Sequence, residues 1–138
     1  METARQRCLR YRRDLDLPAV IPTRTDLIAV PLLAGKVDSV CAPASLAQAA
    51  IPNLMPWMKG PVVEDVRSRR VVFLVAPDDI EVDHDRLVPL NVVVGGRIAL
   101  LPSPREERAG LRRWVLDPHG RNLPPRQDIL DALTGARR

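Results

Sequence analysis

Fourteen prolines are scattered through this 138-residue chain without a period. Each fixes its own φ, removes a backbone donor and biases the preceding residue away from helix. A chain punctuated this often folds into short elements joined by many turns, and seven glycines add further turn positions. Neither residue recurs at a fixed period, which excludes a collagen-like or low-complexity chain. The composition is that of a globular domain, 46% hydrophobic and 28% charged, and the length suits one domain. The longest apolar run, Val71 to Pro77, falls far short of the ~18 residues that span a bilayer. The opening residues METARQRCLRYRRDLD carry no apolar segment of the kind a secretory signal needs. A cytoplasmic protein with no membrane partner is the expectation.

Between the prolines, periodicity marks the elements. Ala4, Cys8, Tyr11 and Leu15 recur at helical spacing, so residues 2–16 read as an amphipathic helix stopped by Pro18. Its other face carries Arg5, Arg7, Arg10, Arg12 and Arg13. Asp26 to Leu33 reads as a strand that Pro31 confines to an edge or breaks. With the turn Ala34-Gly35-Lys36 and a second strand, Val37 to Ala42, it predicts a β-hairpin. Pro43 opens a short alanine-rich helix, Ala44 to Ile51. Arg70 to Ala76 is apolar without alternation, the pattern of a central strand buried on both faces. Asn91–Val94 and Arg97–Leu101, joined by Gly95-Gly96, predict a second hairpin. Ser103-Pro104-Arg105-Glu106 matches a capping box, with Gly110 closing that helix. Leu111 to Leu116 reads as a strand, Asp117-Pro118-His119-Gly120 as a type I turn, and Pro125 opens the last helix. The result is a single α+β domain: a basic helix over 1–17, a core over 18–134 with a mostly antiparallel sheet, and a frayed tail over 135–138.

Few residues are placed for chemistry. The acidic run Asp78 to Asp85 holds five carboxylates and His84. Asp83 and Asp85 are its candidate ligands for a hard divalent cation, against the simpler reading of a solvated loop or helix start. The spacing of an EF-hand is absent, as are a Walker A loop, a GxGxxG turn and a nucleophile elbow. Cys8 and Cys41 lie 33 positions apart with no CxxC spacing, so two buried thiols in a reducing compartment are expected. Cys41 precedes a helix and is the better placed of the two to ionise. No cofactor is expected.

Two features point to partners. The connector PNLMPWMKGP, residues 52–61, sets Trp57 between Met55 and Met58, an adaptable apolar surface if exposed and a cap on the core if folded back. The basic balance is +4, and nineteen of the twenty-one basic residues are arginine. Arg5, Arg10, Arg12, Arg13, Arg67, Arg69, Arg70, Arg112 and Arg113 are the candidates for phosphate contacts.

Gly60-Pro61-Val62, the strand Val71 to Pro77, the step Gly96 to Pro104, and Arg113-Trp114-Val115 leading to Leu123-Pro124 carry a resemblance. Over residues 60–133 the chain resembles the C-terminal half of the bifunctional DNA primase/polymerase (Prim-Pol) domains common in actinobacteria. That family's metal-binding aspartates sit on an apolar strand. Here Asp83 and Asp85 keep the D-x-D spacing but have His84 between them and Arg86 after them. The resemblance therefore implies a catalytically silent relative. Three functions are open at this point. The first is a non-catalytic module that binds a protein partner or itself, through the Met55–Trp57–Met58 connector and the edge near Asp26–Leu33. The others are a nucleic-acid accessory protein, and a metal-dependent enzyme using the acidic stretch.

Overall fold

The computed structural model describes residues 1–33, 35–118 and 120–135. Ala34 of the expected turn, His119 of the expected type I turn and the tail from Ala136 lie outside them. The fold is α+β with antiparallel sheets. Its elements are α1 (Ala4–Leu15), β1 (Ile28–Pro31), β2 (Asp38–Pro43), α2 (Ala44–Ala50), β3 (Val62–Asp65), β4 (Arg70–Val75), α3 (His84–Leu87), β5 (Val93–Val94), β6 (Ile98–Leu101), α4 (Pro104–Arg108), β7 (Arg112–Leu116) and α5 (Arg126–Gly135). Among the described residues, no helix is long and apolar enough to cross a membrane.

The order β5-β2-β4-β3-β7 puts β4 in the middle of a five-stranded sheet. Its side chains alternate between two cores, as the two-residue period of a strand requires. Val71, Phe73 and Val75 enter one core with Ala47, Ala50, Ile129, Leu130 and Leu133, supplied by α2 and α5. Leu74 enters the other with Cys8, Tyr11 and Leu15 of α1, and with Ile28, Val30, Ala99 and Leu101 of a two-stranded ribbon, β1-β6. The sheet is therefore covered on both faces.

The two hairpins expected from sequence are not formed; the strands exist but pair elsewhere. β1 pairs antiparallel with β6, Ile28 opposite Leu101, and β2 pairs with β4 and β5. The segment between β1 and β2 crosses from the ribbon to the sheet. Gly95-Gly96 makes the reverse crossing: Gly95 still donates to Ser39 at 2.9 Å, beside β2, and at Gly96 the chain leaves for the ribbon. Both glycines have positive φ, 85° and 139°, so they serve the change of layer rather than a tight turn. The one consecutive hairpin in the sheet is β3–β4, with Arg69 at φ 55° in its turn. The edge expected at Asp26–Leu33 is also occupied, since Ala29 exchanges two 2.8 Å bonds with Val20 on the side away from β6.

Helix starts follow local chemistry. Thr3 and Gln6 form a reciprocal capping box on α1. At α4 only half of the expected box forms: the Glu106 amide donates to Ser103 Oγ at 3.2 Å, while the Glu106 carboxylate accepts from Arg112 at 3.2 Å. A charged partner displaces the backbone amide as donor because an ionised pair is the stronger bond.

Phe73 is 1% exposed at the centre of the larger core. Phe73→Ala should cost about 3–5 kcal/mol, whereas Leu9→Ala on the outer face of α1, 53% exposed, should stay within about 0.5 kcal/mol. Urea unfolding of both variants checks this; equal midpoints would contradict the burial of Phe73 in the larger core.

Candidate functional site: an exposed tryptophan turn and the fate of the arginines

The connector between α2 and β3 is two short 3-10 turns, Ile51–Asn53 and Pro56–Met58. Pro52 at the second position of one turn and Pro56 at the first of the other preset φ and have no amide to leave unsatisfied. Leu54 is buried in the core, and Met58 packs partly against it. Gly60 is wedged so tightly that a Cβ there would lie 2.5 Å from Pro124 Cδ. Between these anchors the backbone is tied by Met58 N–H to Met55 carbonyl at 2.8 Å and Lys59 N–H to Pro56 carbonyl at 3.3 Å. What remains outside is Met55, 46% exposed, and Trp57, 64% exposed. The connector thus does both things open to it: its ends cap the core and its middle displays an aromatic side chain on a stiff turn.

The arginines divide by environment. Arg112 is 8% exposed and faces Glu106, 4% exposed, with Asp65 at 3.6 Å. Arg113 holds the buried Glu64 carboxylate at 2.7 Å. Arg70 donates to Cys41 Sγ and to the Cys41 carbonyl, both at 3.3 Å. Arg10 pairs with Glu2 and Arg13 with Asp14. Arg7, which is buried, pairs with Glu2 and Glu107 and joins a polar knot around Tyr11. In that knot the Tyr11 hydroxyl donates to the Pro102 carbonyl at 2.7 Å and accepts from Trp114 Nε1 at 3.2 Å. Arg5, Arg12, Arg67 and Arg69 point to solvent, with no ion pair among the described residues. The structure does not bring the nine candidate arginines together as one free set.

The acidic stretch is mostly a solvated loop leading into α3. Asp83 and Asp85 are exposed at the start of that one-turn helix, neither on a strand. Among the described residues no three His, Cys, Asp or Glu side chains are grouped to hold a metal ion. The exception to solvation is Asp78, which accepts from Arg126 at 3.2 Å and from the Gln127 amide at 3.0 Å. Arg126 also donates to Asp38 at 3.0 Å and to the Ile80 carbonyl at 2.9 Å, clipping α5 to β2 and to the acidic loop. Neither Arg126 nor Asp38 stands out in the sequence, because the three segments they join are far apart along it. Burial raises the Cys8 thiol above its ordinary pKa, and Cys41, half-buried, is engaged by Arg70.

No protein-family model matches the chain, and no curated protein and no solved structure is significantly similar to it.

Two outcomes follow from the ion pairs. Arg112→Ala strands the Glu106 carboxylate in the interior and should cost about 3–5 kcal/mol, while Arg5→Ala should stay within about 0.5 kcal/mol; chemical denaturation separates them. Glu2 is held down to about 2, first by its bond to Arg10 and then by Arg7. Its folded pKa lies below the unfolded value, so its stabilisation is present above about pH 4.5 and is lost as pH falls toward 2. Thermal melts from about pH 6 to about pH 2, which start above the unfolded value and reach the folded one, should show a shallower acid loss for Glu2→Gln; parallel curves would contradict it.

Proposed function

We propose that this protein is a non-catalytic interaction module that docks on a protein surface through Trp57 and Met55. The observation that carries the reading is the exposure of Trp57 on a turn whose two ends are fixed in the core. Desolvating roughly 100–160 Å² of indole offers about 2.5–4 kcal/mol. A turn already held by backbone bonds loses little entropy on binding. Tryptophan beside an adaptable methionine is the composition of an interface anchor. The edge near Asp26–Leu33 contributes less to this reading, since Val20 and β6 already use its hydrogen bonds.

A nucleic-acid role, which kinship with Prim-Pol domains would imply, draws little support from charge. Four of the nine candidate arginines, Arg10, Arg13, Arg112 and Arg113, are engaged by carboxylates of the same chain, and a fifth, Arg70, is held by Cys41. We read the location as cytoplasmic, a reading that rests on the two free thiols.

The experiment is sedimentation velocity over a wide concentration range, together with tryptophan emission in a Trp114→Phe background so that Trp57 alone reports. Docking should move the emission to shorter wavelength as Trp57 leaves water. Trp57→Ala should weaken association by about 2 kcal/mol, some thirtyfold. The same sedimentation and the same partner capture for wild type and Trp57→Ala would overturn the proposal.

A further inference from the structure

An open cavity of about 570 Å³ lies where the end of α1, the turn before β2 and the loop before α5 meet. Arg12, Lys36 and Arg121 line it, together with one carboxylate, Asp16. These four residues come from three segments that are distant in sequence. Its apolar wall is made by Leu17 and Leu123 with their neighbours Pro18 and Val37. We propose that this cavity binds a small phosphate monoester, its dianionic head between the three cations and its organic body against the apolar wall.

Charge, size and geometry carry the proposal together. Three cations against one carboxylate leave a surplus of two positive charges. The C-terminus of α1 opposes this with about half a negative charge, and Arg121 already covers one of its last carbonyls, donating to Arg13 at 2.8 Å. The balance still favours a dianion. That bond also positions the Arg121 guanidinium while leaving its other N–H groups to donate. Among the described residues neither Arg12 nor Lys36 has an ion pair, in contrast to the arginines that hold the fold. Two guanidinium forks and an ammonium suit a phosphoryl group with three equivalent oxygens. The volume exceeds what inorganic phosphate needs and falls in the range of small-ligand sites, about 300–1,000 Å³. Leu17 and Val37 are buried in the core beneath the cavity, so the apolar wall is fixed. The site is separate from the Trp57 turn and does not depend on that reading.

The test is a titration of the full chain with phenyl phosphate, followed by amide chemical shifts. Saturable shifts confined to residues 12–18, 36–37 and 121–123 are expected, with phenol producing none and inorganic phosphate binding more weakly. The methyl ester of phenyl phosphate, a monoanion, should bind about tenfold more weakly or worse, the loss expected for one charge-assisted contact. Affinity for phenyl phosphate should fall as pH drops through about 6, where the monoester loses its second charge. Arg12→Gln and Lys36→Gln, both at exposed positions, should each weaken binding about tenfold or more. Unsaturable shifts, shifts elsewhere on the surface, or equal affinity for the ester and the monoester would overturn the proposal. So would unchanged affinity in both variants. Displacement of phenyl phosphate by a single-stranded oligonucleotide, with the ester bound as tightly as the monoester, would overturn it and assign the cavity to a phosphodiester backbone instead.

Discussion

The structure depends on a strand that cannot tolerate water on either side. β4 places Phe73 in one core and Leu74 in the other, each 1% exposed. A sheet whose middle strand is apolar from Val71 to Val75 needs two covers, and this fold supplies both. The first comes from α2 and α5. The second is assembled from α1 and the β1-β6 ribbon, which explains why β1 and β6 leave their sequence neighbours. Pairing β1 with β2 would have used the ribbon to widen the sheet and left Leu74, Val63 and Val37 without a lid. Forgoing a local hairpin costs loop-closure entropy, which grows slowly with loop length; burying several aliphatic side chains returns about 1.5–3 kcal/mol each.

Covers built from distant segments need directional joints as well as apolar contact. Tyr11 reaches from α1 to the Pro102 carbonyl and Trp114, binding the second cover to the strand β7. Arg126 performs the same task on the first face, reaching Asp38 and Asp78 from α5. Arg112 joins β7 to α4 and β3 through Glu106 and Asp65. In each case an arginine or tyrosine donates to acceptors that are buried, as at Glu106 and the Pro102 carbonyl, or partly buried, as at Asp38 and Asp78, and the cost of an unmet buried group exceeds the gain from a met one. Part of the arginine content is therefore structural, Arg7, Arg112 and Arg126 above all, and the basic pI of about 9.8 says little about ligands until the paired arginines are set aside.

Local chemistry made part of this legible. The apolar run at Arg70–Ala76 has no alternation, and it is the central strand, Arg70–Val75. The spacing of Cys8, Tyr11 and Leu15 is helical, and all three are buried on one face of α1. Ser103 precedes a helix and caps it. Pairing was not legible, because the partner of Ile28 is Leu101 and nothing near either residue says so. Glycine pairs mislead for the same reason: positive φ at Gly95 and Gly96 suits both a hairpin and a change of layer, and only the long-range cover decides. β3 carries little signal in the sequence because Val62–Asp65 is short and half acidic; its Glu64 and Asp65 are acceptable in the sheet only beside Arg113 and Arg112. The connector was legible as apolar, but which of its residues faces water depends on Leu54, Met58 and Gly60 finding the core first. The cavity at Arg12, Lys36 and Arg121 was not legible, since a single arginine on a helix and a single lysine in a turn carry no signal until the fold brings them together.

The two surfaces proposed for binding are linked by one short loop. Gly60, which fixes the foot of the Trp57 turn, lies against Pro124 and, more loosely, the Asn122 carbonyl. The same loop carries Leu123 and Arg121 into the cavity. Further along, Pro124 accepts from the Ala76 amide at 2.8 Å and Ala76 accepts from Arg126, so the far end of the loop is hydrogen-bonded to the end of the central strand. Arg121, at the near end, is held to the described chain by its side-chain bond to the end of α1. Contact alone does not couple two sites; coupling needs an element with two arrangements that each ligand prefers differently. The loop can supply that only at its near end, because moving Pro124 would open the wedge at Gly60 and break the strand contact together. Any influence of an anion on the tryptophan turn is therefore confined to small displacements of Arg121 and Asn122. The architecture favours two sites that bind independently on a shared, rigid support.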